Sequence, residues 1–228
     1  LGEDAVQVLF GERGHVDANG EASLEFGEEV RGLGRREGAR RNEEDVVGID
    51  VAVLGVDGGT FDEREEVALD AQLDALVAVR DAGKARLIGV SNYPAGMLRQ
   101  ALDLVPDLAT NQVAHHVLLG QERLLSVVRP EGMVLTAYSP LAQGEALSNA
   151  TVREIAEARG VGAGQVALAW LLGEDRVVAI PKSASATHRA SNLAAADLSL
   201  TPDERAALDA LPKDHRTIDP GFGPDWDA

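Results

Sequence analysis

Val178-Ala179-Ile180-Pro181-Lys182-Ser183 reads as a buried strand that ends at a proline and then presents one ammonium and one hydroxyl. A short apolar run rich in β-branched residues suits a strand of a parallel sheet. Lysine is scarce in this chain: Lys84, Lys182 and Lys213 stand against eighteen arginines. The stretch after Ser183 has the look of a helix start, and backbone N–H groups at a helix N-terminus together with a point charge suit a phosphate. The bland alternative is a surface lysine in a strand-to-helix loop. Three more strand ends of the same kind lie upstream and favour the functional reading.

Working outward, short apolar runs recur at Ile49 to Leu54, Ala85 to Val90, Ala109 to Ala114, Met133 to Ala137 and Val177 to Ile180. Helical periodicity fills the gaps. Glu65 to Ala82 stops at Gly83, and Met97 to Leu104 follows Pro94, a residue suited to a first helical turn. Val152 to Arg159 stops at Gly160, Gln165 to Leu172 stops at Gly173, and Thr201-Pro202-Asp203-Glu204 opens a last helix as a capping box. Strands alternating with helices through short connections predict right-handed βαβ units and a parallel sheet. The predicted class is α/β, of the TIM (β/α)₈-barrel type and incomplete at its N-terminus, with an open doubly wound sheet as the architectural rival.

Residues 1–48 read differently from residues 49–228, which form the barrel portion. Gly, Arg and Glu dominate the early segment, as in Arg31-Gly32-Leu33-Gly34-Arg35-Arg36-Glu37-Gly38, and only Val6 to Phe10 resembles a strand. A βαβ unit takes about 30 residues, so three more strand–helix units do not fit there; an unpatterned, disordered or aberrant segment is expected. The chain begins at Leu1 rather than a methionine, which reads as a fragment or an incomplete gene model.

Composition removes several function classes. The net charge of −17, with 38 acidic against 21 basic residues, argues against nucleic acid or anionic membrane as partners. High acidity with few lysines reads as adaptation to high salt, where screening relieves self-repulsion. There is no cysteine, hence no disulfide, thiolate metal site or cysteine nucleophile. No apolar run approaches the roughly 18 residues that span a bilayer, and no signal segment opens the chain. A cytoplasmic protein is expected.

Parallel strands bring ligands to their C-terminal ends, and there the chain places Ser91-Asn92, Asn111-Gln112, Tyr138-Ser139-Pro140 and Lys182-Ser183. The first two pairs supply amide and hydroxyl groups able to read a carboxamide. Tyr138 offers a face for stacking, and Lys182 with Ser183 an anion site. In that order they describe a nicotinamide dinucleotide laid across the strand ends.

Gly83-Lys84-Ala85-Arg86-Leu87-Ile88-Gly89-Val90-Ser91-Asn92-Tyr93 resembles the aldo-keto reductase signature. Thr110-Asn111-Gln112-Val113, Ala137-Tyr138-Ser139-Pro140-Leu141, and Ile180-Pro181-Lys182-Ser183 followed by Asn192-Leu193 resemble that family's later motifs in order. Asp214-His215-Arg216 through Pro224-Asp225-Trp226-Asp227 is similar to the 2,5-diketo-gluconate reductase branch. The resemblance covers about residues 62 to 228. It implies NAD(P)H-dependent reduction of small aldehydes, ketones or sugar ketoacids, with NADPH as cofactor and NADH as the alternative. By it, Ser91, Asn92 and Gln112 hold the nicotinamide carboxamide and Tyr138, followed by Ser139, stacks on the ring. Lys182 and Ser183 meet the 2′-phosphate, and Asn192 lies near the adenine. Where many relatives carry an arginine six residues after the lysine, this chain has His188, with Arg189 one position later, which weakens the NADP preference.

The family's aspartate, tyrosine, lysine and histidine come from the first four strands, with the tyrosine as general acid. The only tyrosines here are Tyr93 and Tyr138, and no lysine precedes Lys84. The strand Val51 to Leu54 runs into Gly55-Val56-Asp57-Gly58-Gly59 where the family histidine belongs. No catalytic set can be placed. Three readings stay open: an active reductase, a non-catalytic cofactor-binding relative such as the channel-associated regulatory subunits, and a defective gene product whose first 60 or so residues come from a frame error.

Other candidates carry less. Gly160-Val161-Gly162-Ala163-Gly164 follows a helix, so it reads as a helix–helix connection. His115 and His116 point to opposite sides of an extended backbone and cannot share a metal ion; no metal is expected. His116 is a candidate for the edge of a substrate pocket. Asp62-Glu63-Arg64-Glu65-Glu66 reads as a solvated helix start, and Trp226 as either a loop over the site or packing on the rim.

Overall fold

The computed structural model describes residues 14–16, 22–24, 49–55, 68–219 and 224–226. They belong to two compact units, Leu1–Leu54 with Glu65–Gly89, and Gly55–Arg64 with Val90–Ala228. In the first, β1 (Gly14–Val16) pairs antiparallel with β2 (Ala22–Leu24) in the register Gly14↔Leu24. This short pair was not read from the sequence. The expected strand Val6 to Phe10 and most of the 1–48 segment lie outside the described residues. Further along, β3 (Ile49–Gly55) neighbours β4 (Ala85–Ser91). Between them α1 (Leu69–Asp81) buries Leu73 and Leu76. Gly83 ends that helix at φ 69, a left-handed angle that glycine adopts without steric cost, while Lys84 N–H returns to Val79 O at 3.1 Å.

The second unit opens with Val90 and Ser91 at the end of β4, where Asn92 N–H bonds to Gln112 O at 2.9 Å. There follow α2 (Ala95–Leu104), β5 (Thr110–Ala114), α3 (Glu122–Val128) and β6 (Val134–Tyr138). Next come the single turn α4 (Glu145–Ser148), then α5 (Ala150–Arg159), α6 (Ala163–Leu172), β7 (Val177–Ala179), α7 (Ala186–Ala194) and α8 (Pro202–Asp209). β5 pairs parallel with β6, Thr110↔Val134 through Ala114↔Tyr138, and β6 pairs parallel with β7, Leu135↔Val177 through Ala137↔Ala179. The fold is α/β with a parallel sheet, as the alternation of patterns predicts.

Each strand from β3 to β7 falls within a residue or two of its predicted run. Three details differ. Pro94 sits at the N-cap of α2 rather than in its first turn. The helices α3 and α4 escaped the reading because Glu122–Val128 and Glu145–Ser148 are too short to establish a period. The strand taken as buried, β7, buries only Val177, while Val178 is 36% exposed. β7 pairs with β6 alone among the described residues, and an outer strand keeps the apolar composition of a parallel sheet without its full cover.

The core of the second unit lies between the sheet and its helices. Five residues from Ala167 to Leu171 on α6 are all buried, and Val90, Leu98, Leu125, Leu135 and Leu208 are excluded from solvent. The glycine cluster 160–164 links α5 to α6, with Gly160 as a left-handed C-cap at φ 65. Helix α8 opens with the predicted capping box of Thr201 and Glu204, and Arg159 grips the Glu204 carboxylate at 2.7 Å. That pairing holds the carboxyl near 2.

The segment after α8 folds back on the loop following β5. Leu119 bridges Asp214, Gly120 N–H donates to Lys213 O at 3.0 Å, and His215 N–H to Leu118 O at 3.0 Å. Lys213 buckles this return. Its Nζ donates to Val117 O at 2.7 Å and Leu208 O at 2.6 Å, and stands 4.4 Å from the Trp170 ring centroid. Lys213→Met is expected to leave two carbonyls without a donor and to cost about 1–3 kcal/mol, measured as a lower urea midpoint at unchanged slope.

Candidate functional site

The β5–β6 register assigns faces to the strand-end residues. Side chains alternate along a strand, so Thr110, Gln112 and Ala114 share a face with Val134, Thr136 and Tyr138. The Thr110 and Thr136 hydroxyls bond each other there at 2.8 Å. Asn111 falls on the opposite face, where its Nδ2 donates to Tyr93 O at 2.8 Å. The sequence paired Asn111 with Gln112 as carboxamide readers; the pleat separates them, and Asn111 ties β5 to the start of α2 instead.

Ser91, Asn92, Gln112 and Tyr138 come together. Ser91 Oγ donates to Gln112 O at 2.9 Å, and the Tyr138 hydroxyl donates to Asn92 Oδ1 at 3.0 Å. That bond joins the ends of β4 and β6 across β5. Asn92 makes it from a left-handed backbone, φ 60, and Ser139 beside Tyr138 lies at φ 46. Ala142 at φ 51 and Gln143 at φ 53 continue the left-handed conformation in the loop after β6. Non-glycine residues held there cost of the order of 1–3 kcal/mol each and cluster at functional sites. Gln112 is 1% exposed, and its Nε2 has no hydrogen-bond partner among the described residues. A buried amide donor left open costs stability unless a ligand accepts from it.

Lys182 and Ser183 form a second group beyond β7. Lys182 is exposed, Ser185 caps α7 by accepting from His188 N–H, and Ser185 N–H donates to Ser183 Oγ at 3.2 Å. Arg189 reaches back from the first turn of α7, its Nη1 donating to Ala184 O at 2.8 Å and to Ser183 O at 3.4 Å. Counting positions from Lys182 put His188 where many relatives carry an arginine, with Arg189 one position later. From that shifted position the helix still brings the Arg189 guanidinium to the loop. Asn192 lies half-buried further along α7.

The two histidines separate as expected. His115 is fully buried, with Nδ1 against Leu119 O at 2.8 Å, Nε2 against Glu174 Oε1 at 3.0 Å and its ring edge-on to Trp170. His116 is also fully buried, accepts Leu118 N–H on Nδ1 at 3.3 Å, and leaves Nε2 without a partner among the described residues. Burial, reinforced by the charges of His115, His215, Arg216 and Lys213, pushes it down to about 4. Trp226 takes the Arg216 guanidinium on its face at 3.9 Å and donates Nε1–H to Asp219 Oδ1 at 3.0 Å. Among the described residues no three His, Asp or Glu side chains converge to hold a metal ion, and no helix is long and apolar enough to cross a membrane.

A family model described as the aldo/keto reductase family matches residues 45–213. This chain belongs to that family. It is 32% identical over 166 residues to the methylglyoxal reductase DkgB of Yersinia pestis, a match covering 72% of this chain and 62% of the relative. Among solved structures it is similar to one assigned as a 2,5-diketo-D-gluconic acid reductase B, with 35% identity and a TM-score of 0.73 over 79% of this chain and 63% of the other. An aldo/keto reductase from Klebsiella pneumoniae, solved with NADP and acetate, matches at 31% identity and a TM-score of 0.65, covering 74% and 60%. The chain thus spans a little under two thirds of the length of these relatives. The aldo-keto reductase neighbours bear out the barrel-type α/β class.

His116 generates a pH prediction. Its folded value lies below the ordinary 6.5 for histidine, so between about 6.5 and 4 the unfolded chain binds a proton that the folded chain does not. Stability is then full above pH 6.5 and falls as pH drops through that window. His116→Gln is expected to flatten this part of the profile, measured by urea unfolding at stepped pH.

Proposed function

We propose that the ends of β4, β5, β6 and β7 form the dinucleotide face of an NAD(P)H-dependent carbonyl reductase acting on small aldehydes, ketones or sugar ketoacids. One observation carries the reading: Tyr138 is held by Asn92 beside the open, buried amide of Gln112. An aromatic platform flanked by an amide donor suits a ring bearing a carboxamide. With its Oδ1 taken by Tyr138, Asn92 has its Nδ2 left to offer, and Ser91 is fixed on Gln112 O. Ser139 turns the chain over at the platform's edge. Lys182, Ser183 and the start of α7 are the phosphate end, with Asn192 toward the base, and the recurrence of Arg189 on the same loop supports NADPH over NADH.

Bound there, a reduced nicotinamide supplies hydride to a carbonyl carbon, and a proton must reach the carbonyl oxygen from elsewhere. Tyr93 is fully buried with its hydroxyl pushed up to about 12, and Tyr138 is raised by burial and already donates to Asn92. Neither is disposed to deliver that proton. This supports a second reading, in which the 228-residue chain binds a dinucleotide without turning it over efficiently. NADPH fluorescence titration tests binding: Tyr138→Ala is expected to weaken it about tenfold or more through lost stacking. Lys182→Ala is expected to narrow the NADPH-over-NADH preference. Carbonyl reduction by the purified chain is expected near background, since general acid–base help is worth about 10²–10⁴-fold. Robust NADPH-dependent reduction would sink the second reading and leave the first.

The charge of −17 with three lysines supports a cytoplasmic protein working at high salt, with a small carbonyl compound as partner and neither nucleic acid nor membrane. Thermal midpoints are expected to climb between about 0.1 M and about 2 M KCl as screening removes repulsion among carboxylates. A flat or falling curve overturns that expectation.

A further inference from the structure

The loop between β7 and α7 is tied at both ends through its backbone. Ile180 N–H donates to Ala137 O at 3.1 Å, which fastens the entry to β6. At the exit Ser185 caps α7, and Arg189 N–H donates to Ser185 O at 3.0 Å. Between these ties the turn Lys182-Ser183-Ala184 is exposed or half-buried, and Pro181 before it has no N–H to give. A turn outside any ladder must find partners for its peptide groups elsewhere.

Arg189 supplies them. Its Nη1 donates to Ala184 O at 2.8 Å and to Ser183 O at 3.4 Å, so one charged nitrogen gathers two consecutive carbonyls. Charge-assisted bonds of this kind are about twice as strong as neutral ones. A planar trans peptide points its carbonyl and its N–H in opposite directions. With both carbonyls turned to the guanidinium, Ala184 N–H and Ser185 N–H are turned away from it, and Ser185 N–H meets Ser183 Oγ at 3.2 Å. That contact fixes the Ser183 side chain in turn. Arg189 therefore sets the backbone on which Lys182 and Ser183 stand.

We infer that Arg189 is a positioning residue: it braces the turn of residues 182–185 by its two carbonyls and serves the phosphate end through that turn, leaving the anion contact to Lys182 and Ser183. The link to a phosphate rests on the dinucleotide reading, but the brace itself does not. An arginine that touches the phosphate and one that acts through the loop differ in whether lysine can replace it. Lysine keeps the charge, so it stands in for a counter-ion, but its ammonium ends one bond short of Nη1 and cannot gather the same two carbonyls.

The test begins with the full chain, ¹⁵N-labelled and free of any dinucleotide. The Ala184 and Ser185 amides are expected to shift and to lose heteronuclear NOE in Arg189→Lys and in Arg189→Met, and to keep both in His188→Ala. Thermal unfolding checks that each variant is folded; if Arg189→Met is not, Arg189→Lys carries the comparison. Fluorescence titrations follow: Arg189→Lys is expected to weaken NADPH about fivefold, as Arg189→Met does, and NADH less than about twofold. Combined with Lys182→Ala, the Arg189→Met loss is expected to fall well short of the product of the two, since both act on one contact. Unmoved amides, equal changes in His188→Ala, an Arg189→Lys chain with the parent's NADPH affinity, or losses that multiply in full overturn the brace. Amide changes in a chain that binds neither dinucleotide sink only the dinucleotide reading, and NADPH binding with unmoved amides sinks only the brace.

Discussion

The pairing register of β5 on β6 is the constraint on which the candidate site depends. With Gln112 opposite Thr136 and Ala114 opposite Tyr138, the period-2 pleat puts an amide and a phenol on one face. A slip of β5 by one residue would set Asn111, rather than Gln112, on the face of Tyr138. The Thr110–Thr136 hydroxyl bond and the buried Leu135 and Val113 on the opposite face hold the register from both sides. Asn111, sent to the far face by the same alternation, is not wasted: it anchors the turn into α2 through Tyr93 O.

From that register the strand ends are built under strain. Asn92, Ser139, Ala142 and Gln143 all take left-handed backbone angles, where a side chain crowds its own carbonyl. The cross-sheet bond from Tyr138 to Asn92 fixes the first two of these positions against each other. The sheet supplies the stability that such turns consume, and the buried donors of Gln112 and His116, unmet among the described residues, add to the cost.

The tail from Lys213 to His215 packs back on the loop after β5. Lys213 ties it to Val117 and Leu208, and His215 reaches across to Glu145 on α4 at 2.6 Å. One of only three lysines thus serves as a structural clasp rather than a surface charge, half-enclosed and set on the Trp170 face. Nothing in the local pattern around Leu211-Pro212-Lys213 distinguishes it from an exposed cation, because its partners lie as far as 96 residues away in sequence.

The sequence by itself determined the element types, most of their limits and the strand ends that matter. Those signals are local: apolar runs of strand length, glycine after a helix, a capping box at Thr201, and polar pairs where each apolar run stops. It also established the family through ordered motifs, and set aside disulfide and thiolate chemistry by the absence of cysteine. Only the tertiary structure decided which member of a polar pair faces the site, as with Gln112 against Asn111, because alternation fixes faces only once a partner strand fixes the register. It alone brought Arg189 back to the Ser183 loop, since one helical turn moves a side chain across several positions of a sequence count. And it alone set Asp214 opposite Leu119, a pairing of residues far apart in the sequence that no local pattern encodes, because it is made by the chain returning on itself.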